Sequence, residues 1–206
     1  MPLARPSPPP LGFLDYCVRN PADCGVDPKG PDPIKEVRNR YWSAAFVARR
    51  GEPPAPVTPH RLAWTAKTRT LVEKVNRRVN QAVIEQSDQA TYGVKDYWAI
   101  PTLRGKDRYG DCEDYVLMKR RDLIAAGLPA EAMFIALART REGREHAVLI
   151  LATDQGELVL DSITPWIVPW SQAPYRWLQR QRPGSPFDWS DPAPSAIIQG
   201  IKAGGG

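Results

Sequence analysis

The chain has 206 residues, 42% apolar and 25% charged, the composition of a globular protein long enough to bury one sizeable core. Its longest apolar runs, such as AVLILA at 147–152, fall far short of the roughly 18 residues a spanning helix needs, so membrane insertion is not expected. The net charge of +5 is scattered over short groups at 49–50, 77–78 and 119–121, with no single basic tract and no recognised nucleic-acid motif, so nucleic acid is not an expected partner.

Residues 1–56 hold many of the 22 prolines and few periodic segments, and they read as an arm that wraps over a core. Within it Cys17 and Cys24 lie seven positions apart around the Asn20-Pro21 turn signal, while Cys112 stands alone far downstream. A local disulfide is the favoured reading, which implies an oxidising compartment. A zinc site is the weaker alternative, because neither His60 nor His146 sits at ligand spacing from that pair. The opening MPLARPSPPP has no apolar core of a signal peptide, so for an exported chain the signal is taken to have been removed.

From Thr58 the pattern turns helical, with Pro59 suited to a first turn and Leu71, Val72, Val75, Val79 and Val83 recurring at spacings of three and four. The helix is expected to run to about Asp88, with His60 as a surface or capping residue in its first turn. Residues 91–110 lack strong periodicity and read as a structured loop. The next segment, DCEDYVLMKRRDLIAAGLP, reads as a helix with Asp111 as N-cap, Glu113 and Asp114 at the positive end of its dipole, and Gly127 and Pro129 as its stop.

Cys112 therefore falls at the first helical position. Its acidic neighbours disfavour a thiolate, whereas the unpaired amides and dipole of a helix N-terminus favour one. Asp111 and Glu113 project from other sides of the turn and are free to hold a cation or to cap amides.

Three strand-like runs follow at 132–139, 146–153 and 157–163. The last two are separated by Asp154, Gln155 and Gly156, read as a three-residue hairpin loop that pairs residue 153 with 157 and hence 146 with 164. On that register Asp161 stands three residues from the partner of His146, and direct apposition needs a bulge or a different turn. The chemistry asks for such apposition. A cysteine nucleophile needs an imidazole to take its proton, and the imidazole needs an acceptor that fixes its tautomer. Cys112, His146 and Asp161 fit those roles, and the Cys112 amide is placed to donate to an oxyanion. A lone cysteine at a helix start is more often structural than catalytic; it is the assembled set that argues for function.

GDCEDYVLMKRRDLIAAGLP, followed by EHAVLILATDQGELVLDS, closely resembles the bacterial transglutaminase-like cysteine proteinases, with the strongest match over 95–162. The likeness extends to VNRRVN at 75–80, KDYWAIP at 95–101 and YRWLQRQ, and GFLDYCVRNPADC resembles the N-terminus of exported members from alpha-proteobacteria.

The resemblance implies an α+β, papain-like or transglutaminase-like fold, an antiparallel sheet packed against a helix that carries the nucleophilic cysteine at its N-terminus. It implies a periplasmic cysteine endopeptidase with Cys112, His146 and Asp161 as its triad, a protein or peptide substrate, and a regulatory protein at the inner membrane as a partner. Calcium at the acids flanking the nucleophile is also implied, on Asp111 and Glu113 with Asp114 as a further candidate; carboxylates are the hard ligands that ion prefers. The chain departs from the family pattern at Glu145 before His146 and at Ser162 after Asp161, where many members carry glycine and asparagine. One domain is expected, with an arm at 1–56, a catalytic core at 57–163 and a C-terminal arm and tail at 164–206. Acyl transfer to an amine, as in a transglutaminase, and a non-catalytic binding module are the rival readings.

Overall fold

The computed structural model describes residues 1–27, 29, 30, 32, 34, 35, 37, 39, 58–194 and 196. The proline-rich stretch 40–56 and the glycine tail lie outside the described residues. The elements in chain order are strand β1 (Leu3–Ser7), helix α1 (Leu11–Arg19), helix α2 (Ala66–Ala82), strand β2 (Ile84–Glu85), helix α3 (Asp88–Tyr92), strand β3 (Tyr109–Gly110) and helix α4 (Cys112–Ala125), followed by strands β4 (Met133–Arg139), β5 (Glu145–Thr153), β6 (Gly156–Leu160), β7 (Val168–Pro169), β8 (Arg176–Gln181) and β9 (Trp189–Pro192).

Among the described residues seven strands form one antiparallel sheet in the order β1-β9-β8-β4-β5-β6-β7, and β2 pairs with β3 in parallel. The architecture is α+β, as expected. The continuous apolar runs of β4 and β5 follow from burial on both faces, since a strand covered on each side has no polar face to alternate with. On one face Ile135, Ala147, Leu149, Leu151 and Leu160 meet Val72, Val75 and Val79 of α2 and Val116, Leu117 and Leu123 of α4. The other face is covered by the C-terminal segment, where Ala173, Tyr175 and Trp177 pack on Ala136, Ala138, Val148 and Ile150.

Three expectations need correction. First, the helix does not begin at Pro59. Residues 58–64 run extended, with the Leu62 amide donating to the Ala152 carbonyl and the Asp154 amide to the Leu62 carbonyl, and His60 lies exposed there rather than in a first turn. α2 starts only where Thr65 accepts a hydrogen bond from the Thr68 amide at 3.2 Å, a side-chain cap that Pro59 could not supply. It ends at Ala82, and Asp88 opens a separate short helix. Second, the arm does not merely wrap. Phe13 of α1 is buried edge-on against Trp98 and Trp189 at 5.6 Å from each, and β1 pairs with β9. Trp98 is thus part of the core. Third, the C-terminal arm supplies β8, which lies between β4 and β9 inside the sheet.

The favoured disulfide joins Cys17 at the end of α1 to Cys24, with 5.5 Å between their Cα atoms. No described helix is long and apolar enough to cross a membrane.

Candidate active site

The hairpin that carries two of the candidate residues is tighter than its sequence suggests. Thr153 pairs directly with Gly156, which takes a φ of +114°, so the loop is only Asp154-Gln155. The Thr153 hydroxyl closes it, donating to the Gly156 carbonyl at 2.6 Å and accepting from the Gln155 amide at 3.2 Å. From the pair Leu149↔Leu160 the register continues to set Asp161 opposite Val148, one diagonal step from His146 on the same face. No bulge is needed. The two side chains meet, His146 Nε2 lying 2.8 Å from Asp161 Oδ1.

That contact leaves Nδ1 as the ring nitrogen available to a thiol. Cys112 stands at the first position of α4, as expected, and packs against the core cluster that contains Ala147, the residue after His146. The helix start and the His146 strand therefore come together at this point. Asp111 occupies the N-cap position, yet its side chain makes no capping bond. Glu145 points to solvent, where it pairs with Arg139 at 3.2 Å, so this departure from the family pattern does not crowd His146.

Asp161 is held on every side. Its Oδ1 also accepts from the Ile163 amide at 3.0 Å, its Oδ2 accepts from the Tyr175 hydroxyl, and its backbone carbonyl accepts from Lys119 Nζ at 2.7 Å and Asn80 Nδ2 at 2.9 Å. Burial alone would raise its carboxyl, but the hydrogen bonds and charge of His146, together with the Tyr175 hydroxyl, outweigh it and hold the group below its ordinary value. Tyr175, Lys119 and Asn80 escape sequence reasoning because nothing in their spacing marks them. Each reaches Asp161 through long-range packing.

The Cys112 thiol donates to Glu113 Oε2 at 2.9 Å. Burial, and next the charge and hydrogen bond of Glu113, push the thiol well above its ordinary pKa, with the Ala147 amide working the other way. Such a thiol is a poor nucleophile unless positive charge is brought to it.

The acids beside it are arranged to attract that charge. Asp111 groups with Cys112 and Glu113 on one side and with Asp88 and Asp114 on the other, the ligating atoms of each group lying within 4.8 Å of one another. Asp88 accepts from the Tyr97 amide, and Asp114 accepts from the Ala99 amide at 2.7 Å through Oδ1. One buried oxygen on each acid, Asp88 Oδ1, Asp111 Oδ1 and Asp114 Oδ2, is left without a partner. Burial, reinforced by mutual repulsion, pushes the three carboxyls up to about 6, 8 and 8 respectively. Three clustered carboxylates, each with an orphaned buried oxygen, fit a hard cation. Of the expected ligands, Asp111 lies in both groups and Glu113 turns to the thiol; Asp88, 23 positions upstream of Asp111, carries no signal in the sequence.

A family model described as the bacterial transglutaminase-like cysteine proteinase BTLCP matches residues 53–195. The chain belongs to this family. No protein of curated function matches it. Among solved structures, Legionella pneumophila LapG is 30% identical over 55% of this chain and 63% of its own, with a TM-score of 0.47. A calcium-bound form of LapG is 21% identical over 92% of this chain and 96% of its own with a TM-score of 0.49, and an EGTA-treated form is 22% identical over 85% and 84% with a TM-score of 0.48. In the first of these alignments the chain spans less than two thirds of the length of LapG.

Proposed function

We propose that this proteinase is an endopeptidase working through Cys112, His146 and Asp161. The observation that carries the reading is the buried contact between His146 and Asp161 beside a cysteine at a helix start, in a member of a cysteine proteinase family.

Cys112 Sγ attacks the carbonyl carbon of the scissile peptide bond as its proton passes to His146 Nδ1. Asp161 keeps the proton of the other ring nitrogen on Nε2 and stabilises the imidazolium that forms. The developing oxyanion is met by the Cys112 backbone amide at the positive end of α4. Collapse breaks the C–N bond, His146 returns its proton to the leaving amine, and the acyl group stays on sulfur as a thioester. Water, deprotonated by His146, then attacks the thioester and regenerates the thiol.

Asp88, Asp111 and Asp114, with Glu113 at their edge, would hold calcium, which supplies the positive charge that favours a thiolate at Cys112. The orphaned oxygens support this, and LapG has been solved both calcium-bound and EGTA-treated. The Cys17–Cys24 disulfide supports an oxidising location such as the periplasm, with a periplasmic or cell-surface protein as substrate. The family resemblance extends the reading to a regulatory partner at the inner membrane. One domain carries this activity, because the first strand closes on the last.

The test is digestion of a complex peptide library in calcium, with new C-termini mapped by mass spectrometry, for the wild type and Cys112→Ser. New termini only with the wild type are expected. Termini that are predominantly amide-linked to an added primary amine would replace hydrolysis by transamidation, and no cleavage at all would leave a binding module.

A further inference from the structure

We propose that Tyr175 is a positioning residue of this site, whose hydroxyl fixes the Asp161 carboxylate so that Oδ1 faces His146. The inference rests on the peptidase reading above.

A carboxylate turns easily about χ2, and its two oxygens are interchangeable unless both are engaged. Here Oδ1 takes His146 Nε2 and the Ile163 amide, while among the described residues Oδ2 takes the Tyr175 hydroxyl alone. With the Asp161 carbonyl already gripped by Lys119 and Asn80, the phenol supplies the remaining constraint on that side chain. Tyr175 is itself immobilised. It is 5% exposed, and its ring meets Trp177 edge-on at 5.9 Å. The same ring lies 5.4 Å from the imidazole of His146, so it bounds the ring whose tautomer Asp161 sets. Burial and the neighbouring carboxylate raise the phenol above its ordinary pKa, so it remains a donor throughout the working range. The chain segment matters too. Cys112, His146 and Asp161 come from α4, β5 and the end of β6, whereas Tyr175 enters from the segment before β8, which makes the C-terminal region part of the site's support.

If the hydroxyl merely satisfied itself in a packed core, removing it while keeping the ring would leave the site unchanged. The experiment compares wild type, His146→Ala and Tyr175→Phe in saturating calcium at one pH. It reads the rate of Cys112 alkylation by iodoacetamide, the tautomer of His146 by nitrogen-15 NMR, and the melting temperature. Tyr175→Phe is expected to slow alkylation about tenfold, the scale of one lost hydrogen bond, and to turn a single Nε2–H tautomer into a mixture. Placing 3-fluorotyrosine at position 175, a stronger donor on the same ring, is expected to restore the wild-type rate. Wild-type alkylation with an unchanged tautomer in a folded Tyr175→Phe protein would overturn the proposal and leave the peptidase reading standing. Alkylation of the wild type no faster than of His146→Ala would overturn both. Should Tyr175→Phe not fold, the fluorotyrosine protein decides, because a stronger donor to Asp161 must move the His146 Nε2 proton resonance, and an unmoved resonance refutes the role.

Discussion

Lys119 is fully buried, and the charge that opposes its desolvation is that of Asp161, whose carbonyl it also bonds. Burial pulls its pKa down to about 7 from 10.5, against the attraction of Asp161. The Tyr115 ring lies 6.0 Å from the amine. The neutral amine still has N–H bonds to donate, so the Asp161 carbonyl keeps its partner when the charge is lost. Between pH 7 and 10.5 the unfolded chain holds this proton and the folded chain does not, so this group's contribution to stability rises with pH across that window. Lys119→Met removes the titration. In urea unfolding at several pH values, the wild type is expected to gain on the variant from pH 7 upward, and a constant difference would show that the lysine is ordinary. Gly110 is a second residue with a specific reason. A Cβ there would lie 2.7 Å from Asp114 Cβ and Oδ2 and 3.1 Å from Pro101 Cγ. Gly110→Ala is therefore expected to displace Asp114, costing about 1–3 kcal/mol of stability and weakening calcium binding measured by calorimetry, whereas unchanged calcium affinity would free Asp114 from the ligand set.

Among the elements, α4 was legible from its own sequence because every signal agreed: Asp111 before it, acids in its first turn, Gly127 and Pro129 after it. The start of α2 is not legible at Pro59, because proline is permissive in a first turn and does not cap one. The extended run 58–64 is stabilised instead by hydrogen bonds to Ala152 and Asp154, some 90 positions away, which no local pattern reports. The hairpin shows the same limit on a smaller scale. Asp-Gln-Gly reads as a three-residue loop, whereas Thr153 pairs with Gly156 and its hydroxyl closes a loop of two. A one-residue change of loop length brings Asp161 from three residues off its partner to a diagonal contact. The reassigned start of α2 is testable. Thr65→Ala is expected to cost about 1 kcal/mol in urea unfolding, while Thr58→Ala costs nothing measurable. Equal effects would return the helix start to its proline.

At the scale of the molecule, the triad candidates could be found because each stands in a recognisable local motif, while what surrounds them could not. Asp88, Asn80, Lys119 and Tyr175 reach the site from four different segments and are united only by the fold. The acidic cluster makes this dependence measurable. Asp88 comes from α3 and Asp111 and Asp114 from the start of α4, so closing the structure forces like charges together and strands an oxygen on each. An ion that binds only the folded arrangement stabilises the whole chain by mass action, by about 2.7 kcal/mol at a hundredfold excess over its dissociation constant. Calcium is therefore expected to raise the melting temperature with its concentration, and EGTA to reverse the rise. Asp88→Asn separates this from a general salt effect. With one repelling charge gone, the variant should melt no lower than the wild type in EGTA, yet gain little from calcium. A wild type whose melting temperature ignores calcium would mean that protons, not a metal ion, neutralise the cluster. The charge needed to activate Cys112 would then have to come from His146 and the α4 amides alone.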